Sequence, residues 1–146
     1  MNDESANHPP LTAISRLFHY AGIYGLIVLL PQYFLEGRLG REFPPPTNHP
    51  EHFYGFVGVA AAWQVAFLII ARDPVRYRPM MLAGSLEKFG FGIPAVVLFL
   101  QGRLAGGVLP FALVDLVMGT AFVAAWRATD GRAGRPQRSA DADGPS

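Results

Sequence analysis

The stretch Arg72–Lys88, which reads RDPVRYRPMMLAGSLEK, joins two long apolar segments of the chain. It begins as a short arginine-rich turn with two prolines, and it ends by carrying Glu87 and Lys88 into the second apolar segment. Proline lacks a backbone N–H and so tends to end or begin a helix, and arginine is enriched in the cytoplasmic turns of membrane proteins. The stretch therefore predicts a cytoplasmic hairpin between two membrane-spanning helices, with a charged pair inside the bilayer.

Four apolar segments of helical length make up most of the chain, which has 146 residues, 51% of them hydrophobic. One segment, Tyr54–Ala71, holds no charged residue, and another, Leu104–Trp126, holds only Asp115. A membrane span needs about 20 mostly apolar residues, and a buried helix in a soluble protein explains one such segment but not four. We predict an all-α fold, an integral membrane four-helix bundle. Its helices are predicted at residues 12–35, 54–71, 80–101 and 108–126, within a transmembrane domain at 12–127 that is flanked by disordered termini at 1–11 and 128–146.

Local signals refine the ends of these helices. Thr12 or Ser15 is a candidate N-cap for the first helix, because a side-chain hydroxyl can accept a hydrogen bond from a free backbone N–H. Pro31 predicts a kink near the far end of that helix, which a membrane helix tolerates when neighbours satisfy the freed carbonyl. The segment at residues 36–50 is rich in glycine and proline, and we predict a loop there.

The arginines are distributed unevenly between the two sides of the predicted bundle. One side holds eight of them and the other side holds three. Positively charged residues are enriched on the cytoplasmic side, so we predict a multi-pass protein of the cell inner membrane with both termini in the cytoplasm. The eight are Arg16, Arg72, Arg76, Arg78, Arg127, Arg132, Arg135 and Arg138, and the three are Arg38, Arg41 and Arg103.

Composition excludes several classes of function. The formal net charge is +1, and no basic patch indicates nucleic acid as a partner. The chain has no cysteine, which excludes disulfides, iron–sulfur ligation and thiol catalysis. His49, Glu51 and His52 have the side chains of metal ligands, but they also fit the start of the second helix, and we predict no metal site there. The sequence identifies no cofactor.

Polar side chains recur at one depth in the four predicted helices. With a rise of about 1.5 Å per residue, several of them lie roughly 10–16 Å from the cytoplasmic ends of their helices. We predict that this polar layer lines a ligand-binding site in the bundle, and that Glu87 or Asp115 is the candidate catalytic residue if there is a reaction. The residues of the predicted layer are His19, Tyr24, Trp63, Gln64, Glu87, Lys88 and Asp115.

The charged members of this layer are constrained by the bilayer. A charged side chain that faces lipid costs at least about 2.5–3.5 kcal/mol, so Glu87, Lys88 and Asp115 are expected to face inward or face each other. Neighbouring residues point about 100° apart on a helix. We therefore place Glu87 in the interior, and Lys88 either pairs with Asp115 or extends to the cytoplasmic headgroups. A purely structural ion-pair cluster that fixes helix register is the alternative to a ligand site.

The layout resembles the small bacterial four-helix membrane proteins of the DoxX-like type, in their uncharacterised branch. The residues that carry the resemblance are His52-Phe53-Tyr54-Gly55-Phe56, Ala71-Arg72-Asp73-Pro74, Glu87-Lys88 and Asp115. It implies a membrane bundle and a link to redox chemistry with sulfur compounds and quinones. The chain is also similar to the emopamil-binding, sterol-isomerase-like bundles, in which acidic and aromatic residues line a membrane pocket. Glu87, Asp115 and Trp63 are the matching residue types.

Three functions remain open at this point. The first is binding of a small hydrophobic ligand or a membrane partner by the polar layer. The second is a DoxX-like or sterol-isomerase-like membrane enzyme that acts on a lipophilic substrate, with Glu87 or Asp115 as acid or base. The third is a small proton-coupled transporter that works as a homo-oligomer. All three share the lipid bilayer as surroundings, and a small lipophilic molecule is the candidate ligand.

Overall fold

The computed structural model describes residues 10–42 and 49–130, and this part of the chain is helical with no β-strand. It confirms the all-α class. The α-helices are α1 (Leu11–Leu29), α2 (Glu36–Glu42), α3 (Pro50–Arg72), α4 (Arg78–Leu100) and α5 (Leu109–Ala128). Short 3-10 segments follow α1 at Leu30–Phe34 and precede α5 at Gly106–Val108.

Four helical segments are long and apolar enough to cross a membrane, as the sequence predicts. Only 22% to 33% of the most apolar stretch of each segment is buried inside the bundle, so most of each stretch is at least partly exposed. An apolar surface of this extent is compatible with contact to a lipid bilayer. The segments are Leu11–Phe34, Pro50–Arg72, Arg78–Leu100 and Gly106–Ala128.

The four long helices pack as two pairs. α1 lies mainly along α3, and α4 lies mainly along α5. Glycine allows the close approach in each pair. A side chain at Gly25 would overlap the amide of Gln64 on α3, and a Cβ at Gly119 would lie 2.9 Å from the ring of Phe89 on α4.

The two pairs join at the end of the bundle where α3 turns into α4. Phe18, Phe67 and Phe122 are fully buried there, each about two turns from the end of its helix. The ring centroids of Phe18 and Phe122 are 4.2 Å apart, and those of Phe67 and Phe122 are 5.0 Å apart. These three rings form the aromatic plug, and the end that they fill is the plug end. Two hydrogen bonds also link helices there, from Ser15 Oγ to the Ala71 carbonyl (2.5 Å) and from Arg78 Nε to the Trp126 carbonyl (3.0 Å).

Several predicted boundaries differ from the structure. Helix α1 begins at Leu11 after Pro10 without a side-chain cap; the predicted cap at Thr12 or Ser15 was wrong, because Ser15 bonds to α3 instead. The predicted loop at residues 36–50 contains the short helix α2. Helix α3 begins at Pro50, four residues before the predicted membrane segment at 54–71, because the proline fits the first turn of a helix. This start agrees with the prediction that His49, Glu51 and His52 lie at the beginning of the second helix.

Two further boundary predictions concern the ends of α1 and of the chain. Pro31 lies in the 3-10 segment where α1 changes its winding, and the kink of the helix axis stays a prediction. The predicted disordered termini lie mostly outside the described residues. Of their described part, Leu11 and Ala128 are helical.

Candidate ligand-binding cavity

A cavity of about 960 Å³ lies between the α1–α3 pair and the α4–α5 pair. All four long helices line it, and its volume is within the range of small-molecule sites, about 300–1,000 Å³. Beyond the plug end this space lies between the two pairs, which still meet at the rings of Phe56 and Phe91, with centroids 6.3 Å apart. Apolar side chains form most of its walls, among them Val28, Leu29, Phe56, Val59, Leu86, Phe91, Val108 and Phe111.

An ion-pair cluster of Glu87, Lys88 and Asp115 lies where the cavity meets the aromatic plug. Lys88 Nζ is 3.3 Å from Glu87 Oε2 and 3.3 Å from Asp115 Oδ1. It also lies 5.3 Å from the ring centroid of Phe67, a member of the plug. The Lys88 side chain is 5% exposed, and those of Glu87 and Asp115 are 16% and 15% exposed. We call these three residues the charged cluster.

The structure decides between the two alternatives for Lys88. Glu87 lines the cavity, and Lys88 is the more buried of the two and pairs with Asp115 instead of extending to the headgroups. The directions in which neighbouring residues leave the helix do not alone predict that both reach the interior. A lysine side chain has four methylene groups, so its ammonium bends back to the Glu87 carboxylate while it also reaches α5.

Gln64 adds a buried amide to the same end of the cavity. The residue is 1% exposed, and its Nε2 donates to the Ala60 carbonyl at 3.0 Å. Its Oε1 packs against Gly25 on α1, where a Cβ atom would overlap it. Within the described part of the chain, Gln64 Oε1 and Glu87 Oε2 are buried and accept no hydrogen bond. The contact between Glu87 and Lys88 is therefore an ion pair without hydrogen-bond geometry.

The structure brings six of the seven residues of the predicted layer to this cavity, and His19 is the exception. His19 is exposed on the outer face of α1, with its ring 5.9 Å from that of Tyr20. Depth along a helix places a residue in a layer, but its position around the helix axis decides whether it faces the interior. The prediction of His19 as a member of the site was therefore wrong. The six are Tyr24, Trp63, Gln64, Glu87, Lys88 and Asp115.

Sequence reasoning missed the apolar walls, although helical spacing carried a signal for them. Residues four apart lie on the same face of a helix. Val28 follows Tyr24 by four positions, Phe91 follows Glu87 by four, and Phe111 precedes Asp115 by four. Extending each polar residue along its own helix face would have identified these wall positions.

Known proteins offer no guide to the ligand of this cavity. No protein-family model, curated protein or solved structure matches the chain. The resemblances to the DoxX-like and sterol-isomerase-like bundles therefore stay predictions from the sequence pattern.

A separate group of possible metal ligands lies at the start of α3. Ligand atoms of His49, Glu51 and His52 all lie within 4.8 Å of one another, and the three residues are exposed. His49 Nδ1 is 3.0 Å from Glu51 Oε1, which shows that the histidine has a partner without a metal. Imidazole and carboxylate groups at this spacing can hold a transition-metal ion. The expectation of no metal at this position stays a prediction.

Proposed function

We propose that this chain is a multi-pass protein of the inner membrane, with both termini in the cytoplasm, that binds a small lipophilic molecule in the cavity. The observation that carries the proposal is the cavity of about 960 Å³, with apolar walls and a charged cluster at one end. A lipophilic molecule with one polar group matches this distribution. Its apolar body contacts the walls, and its polar group contacts the cluster.

The outer surface supports the membrane location. Large apolar side chains face outward along the whole bundle, including Phe34 (90% exposed) and Leu100 (78% exposed), and lipid is the surrounding that covers them. The distribution of arginines supports cytoplasmic termini. A topology reporter fused after residue 146 should be active in the cytoplasm, and a reporter located outside would contradict this orientation.

The charges themselves support a role beyond stability. Buried ion pairs are often no more stabilising than well-packed apolar residues of the same volume. Charged side chains within membrane segments are rare and usually functional. The cluster also lines a cavity, and its two carboxylates are 16% and 15% exposed. A bound polar group explains both its position and its open side.

A cavity-filling substitution tests this function. Ala83 lines the cavity, and Ala62 is exposed on α3 and does not. We expect Ala83→Trp to weaken binding of the fluorescent probe 1-aminoanthracene at least about tenfold, because the indole occupies the volume that the probe needs. The matched control Ala62→Trp should bind it within about twofold of the wild type.

The measurement is the fluorescence titration of each purified variant in one mild detergent, with the signal of protein-free micelles subtracted. Size-exclusion profiles and melting temperatures show whether each variant is folded. Equal binding by the wild type and by a folded Ala83→Trp protein would contradict binding in this cavity.

A further inference from the structure

Charge at the polar end of the cavity is unbalanced. Three of the described residues that line the cavity have side chains that are ordinarily charged at neutral pH. They are Glu87, Lys88 and Asp115. One ammonium faces two carboxylates, so the ionised cluster has an excess of one negative charge. Electrostatic attraction is strong where water is excluded. The cluster therefore favours a ligand with a positive charge and disfavours one with a negative charge.

Hydrogen-bond acceptors also outnumber donors there. Gln64 Oε1 and Glu87 Oε2 are buried without a hydrogen bond, and the Gln64 amide N–H is already directed to Ala60. The Lys88 ammonium has three N–H groups, and its nitrogen is held between two carboxylates. Tyr24 and Trp63 line the cavity, but neither donates to Gln64 Oε1 or to Glu87 Oε2, whose contact is the ion pair with Lys88 at 3.3 Å. A ligand that brings N–H donors supplies what these acceptors lack.

We propose, on the basis of the binding function above, that the ligand is a lipophilic amine whose protonated nitrogen donates hydrogen bonds to Gln64 and Glu87. The positive charge balances the cluster, and the N–H groups satisfy the two buried acceptors. The apolar walls, with Val59 and Phe91 among them, hold its hydrocarbon part. An amine of this kind is either a free small molecule or the ammonium headgroup of a phospholipid.

Four probes with the same dodecyl chain separate charge from hydrogen bonding. They are dodecylamine, dodecyltrimethylammonium, dodecanol and dodecanoate, and each competes with 1-aminoanthracene on the full chain in phosphatidylcholine nanodiscs. Dodecylamine should displace the fluorescent probe at a concentration about tenfold lower than dodecyltrimethylammonium, which has the charge but no N–H donor. Dodecanol should fall between them, and dodecanoate should be the weakest.

Two conservative variants locate the contact. Glu87→Gln and Gln64→Leu keep the approximate side-chain volume. Gln64→Leu removes the amide acceptor, and Glu87→Gln removes the negative charge and replaces one carboxylate oxygen by an N–H donor. Both should reduce the preference for dodecylamine over dodecyltrimethylammonium from about tenfold to about twofold. A folded protein is verified by its size-exclusion profile. Outward-facing Ala62→Leu serves as the control and should keep the wild-type preference.

The outcomes distinguish this proposal from the binding function. Equal displacement by dodecylamine and dodecyltrimethylammonium, or tighter displacement by dodecanoate, overturns the amine proposal and leaves the binding function intact. Absence of displaceable 1-aminoanthracene binding overturns both. If the preference holds, adding phosphatidylethanolamine to the nanodisc identifies the source. Weaker apparent binding of dodecylamine then assigns the cavity to a phospholipid ammonium, and unchanged binding assigns it to a free amine.

Discussion

The plug end and the cavity half are built from the same four helices, yet they use phenylalanine in opposite ways. Phe18, Phe67 and Phe122 are fully buried at the plug end and contact one another. In the cavity half, Phe56 and Phe111 are 50% and 43% exposed and border empty space. The difference shows that aromatic content does not decide how tightly a bundle packs.

This difference has a consequence for stability. Helices in a bilayer gain little from the hydrophobic effect, because lipid is as apolar as their side chains, and close packing is a main source of association. The plug end provides that packing between the two pairs. In the cavity half the pairs meet at the rings of Phe56 and Phe91, and the cavity takes up the space beside them. The charged cluster lies at the border between the two regions. We therefore expect the stability of the bundle to depend on the plug and its binding properties to depend on the cavity.

The largest effect is expected from a phenylalanine of the plug compared with one of the cavity, both on α5. Phe122→Ala should lower the free energy of unfolding by about 3–4 kcal/mol, because it leaves a void among rings that the rest of the plug cannot fill. Phe111→Ala should lower it by less than about 1 kcal/mol, because its ring is partly exposed and already borders a cavity.

The measurement for this pair is reversible unfolding of both variants in one mild detergent, titrated with a denaturing detergent. The result is the difference in free energy of unfolding between the two variants. The influence of the micelle is common to both and cancels in this difference. Losses of equal size would show that the plug is not the main contact between the helix pairs.

The sequence was informative where a property depends on one helix at a time. Length and hydropathy predict the four long helices, and Pro74 and Pro79 mark the turn between α3 and α4. The depth of Gln64 and of Asp115 in the polar layer follows from the helical rise alone. These predictions need no knowledge of the neighbouring helices, and the structure places both residues at the same cavity.

Predictions that depend on the relation between helices were less successful. His19 has the right depth but lies on the outer face of α1, because the rotation of a helix is set by its partners. The interior position of Lys88 depends on the reach of its side chain to α5. The separation of the helix pairs beyond the plug leaves no signature in hydropathy. The cavity itself was therefore not predictable in shape, although its polar residues were.

The second prediction concerns the border between the two regions. Lys88→Met removes the ammonium and leaves two carboxylates close together without a cation. We expect a loss of about 2–3 kcal/mol in the free energy of unfolding, because an uncompensated buried charge is strongly destabilising even when a proton partly relieves it. This variant separates a structural role of the cluster from a role in binding.

A triple variant provides the control for this result. Lys88→Met combined with Glu87→Gln and Asp115→Asn removes all three charges, and it should recover at least half of the lost stability. Unfolding measured in the same detergent decides the comparison. No recovery would mean that packing of the lysine stem, rather than its charge, is what the single variant lost.

The smallest expected effect is at the contact between α1 and α3 in the cavity half. Gly25→Ala places a methyl group where the Gln64 amide now lies, so the amide has to move toward the cavity. We expect a loss of about 1–2 kcal/mol, as for other overpacking substitutions. Gly55→Ala on α3 is the matched control. A Cβ there meets no atom within 4 Å, and its stability should change by less than about 1 kcal/mol.

A double variant shows whether the overlap with Gln64 causes this loss. Gly25→Ala combined with Gln64→Ala removes the amide that the new methyl group meets, and the double variant should be more stable than the sum of the two single changes predicts. Additive losses would indicate that Gly25 acts through backbone approach rather than through the amide. A positive coupling would instead show that Gly25 is the position that allows Gln64 to keep its free oxygen buried beside the cavity. That oxygen is one of the two acceptors on which the amine proposal rests, so the smallest stability effect also tests the geometry that gives the cavity its preference.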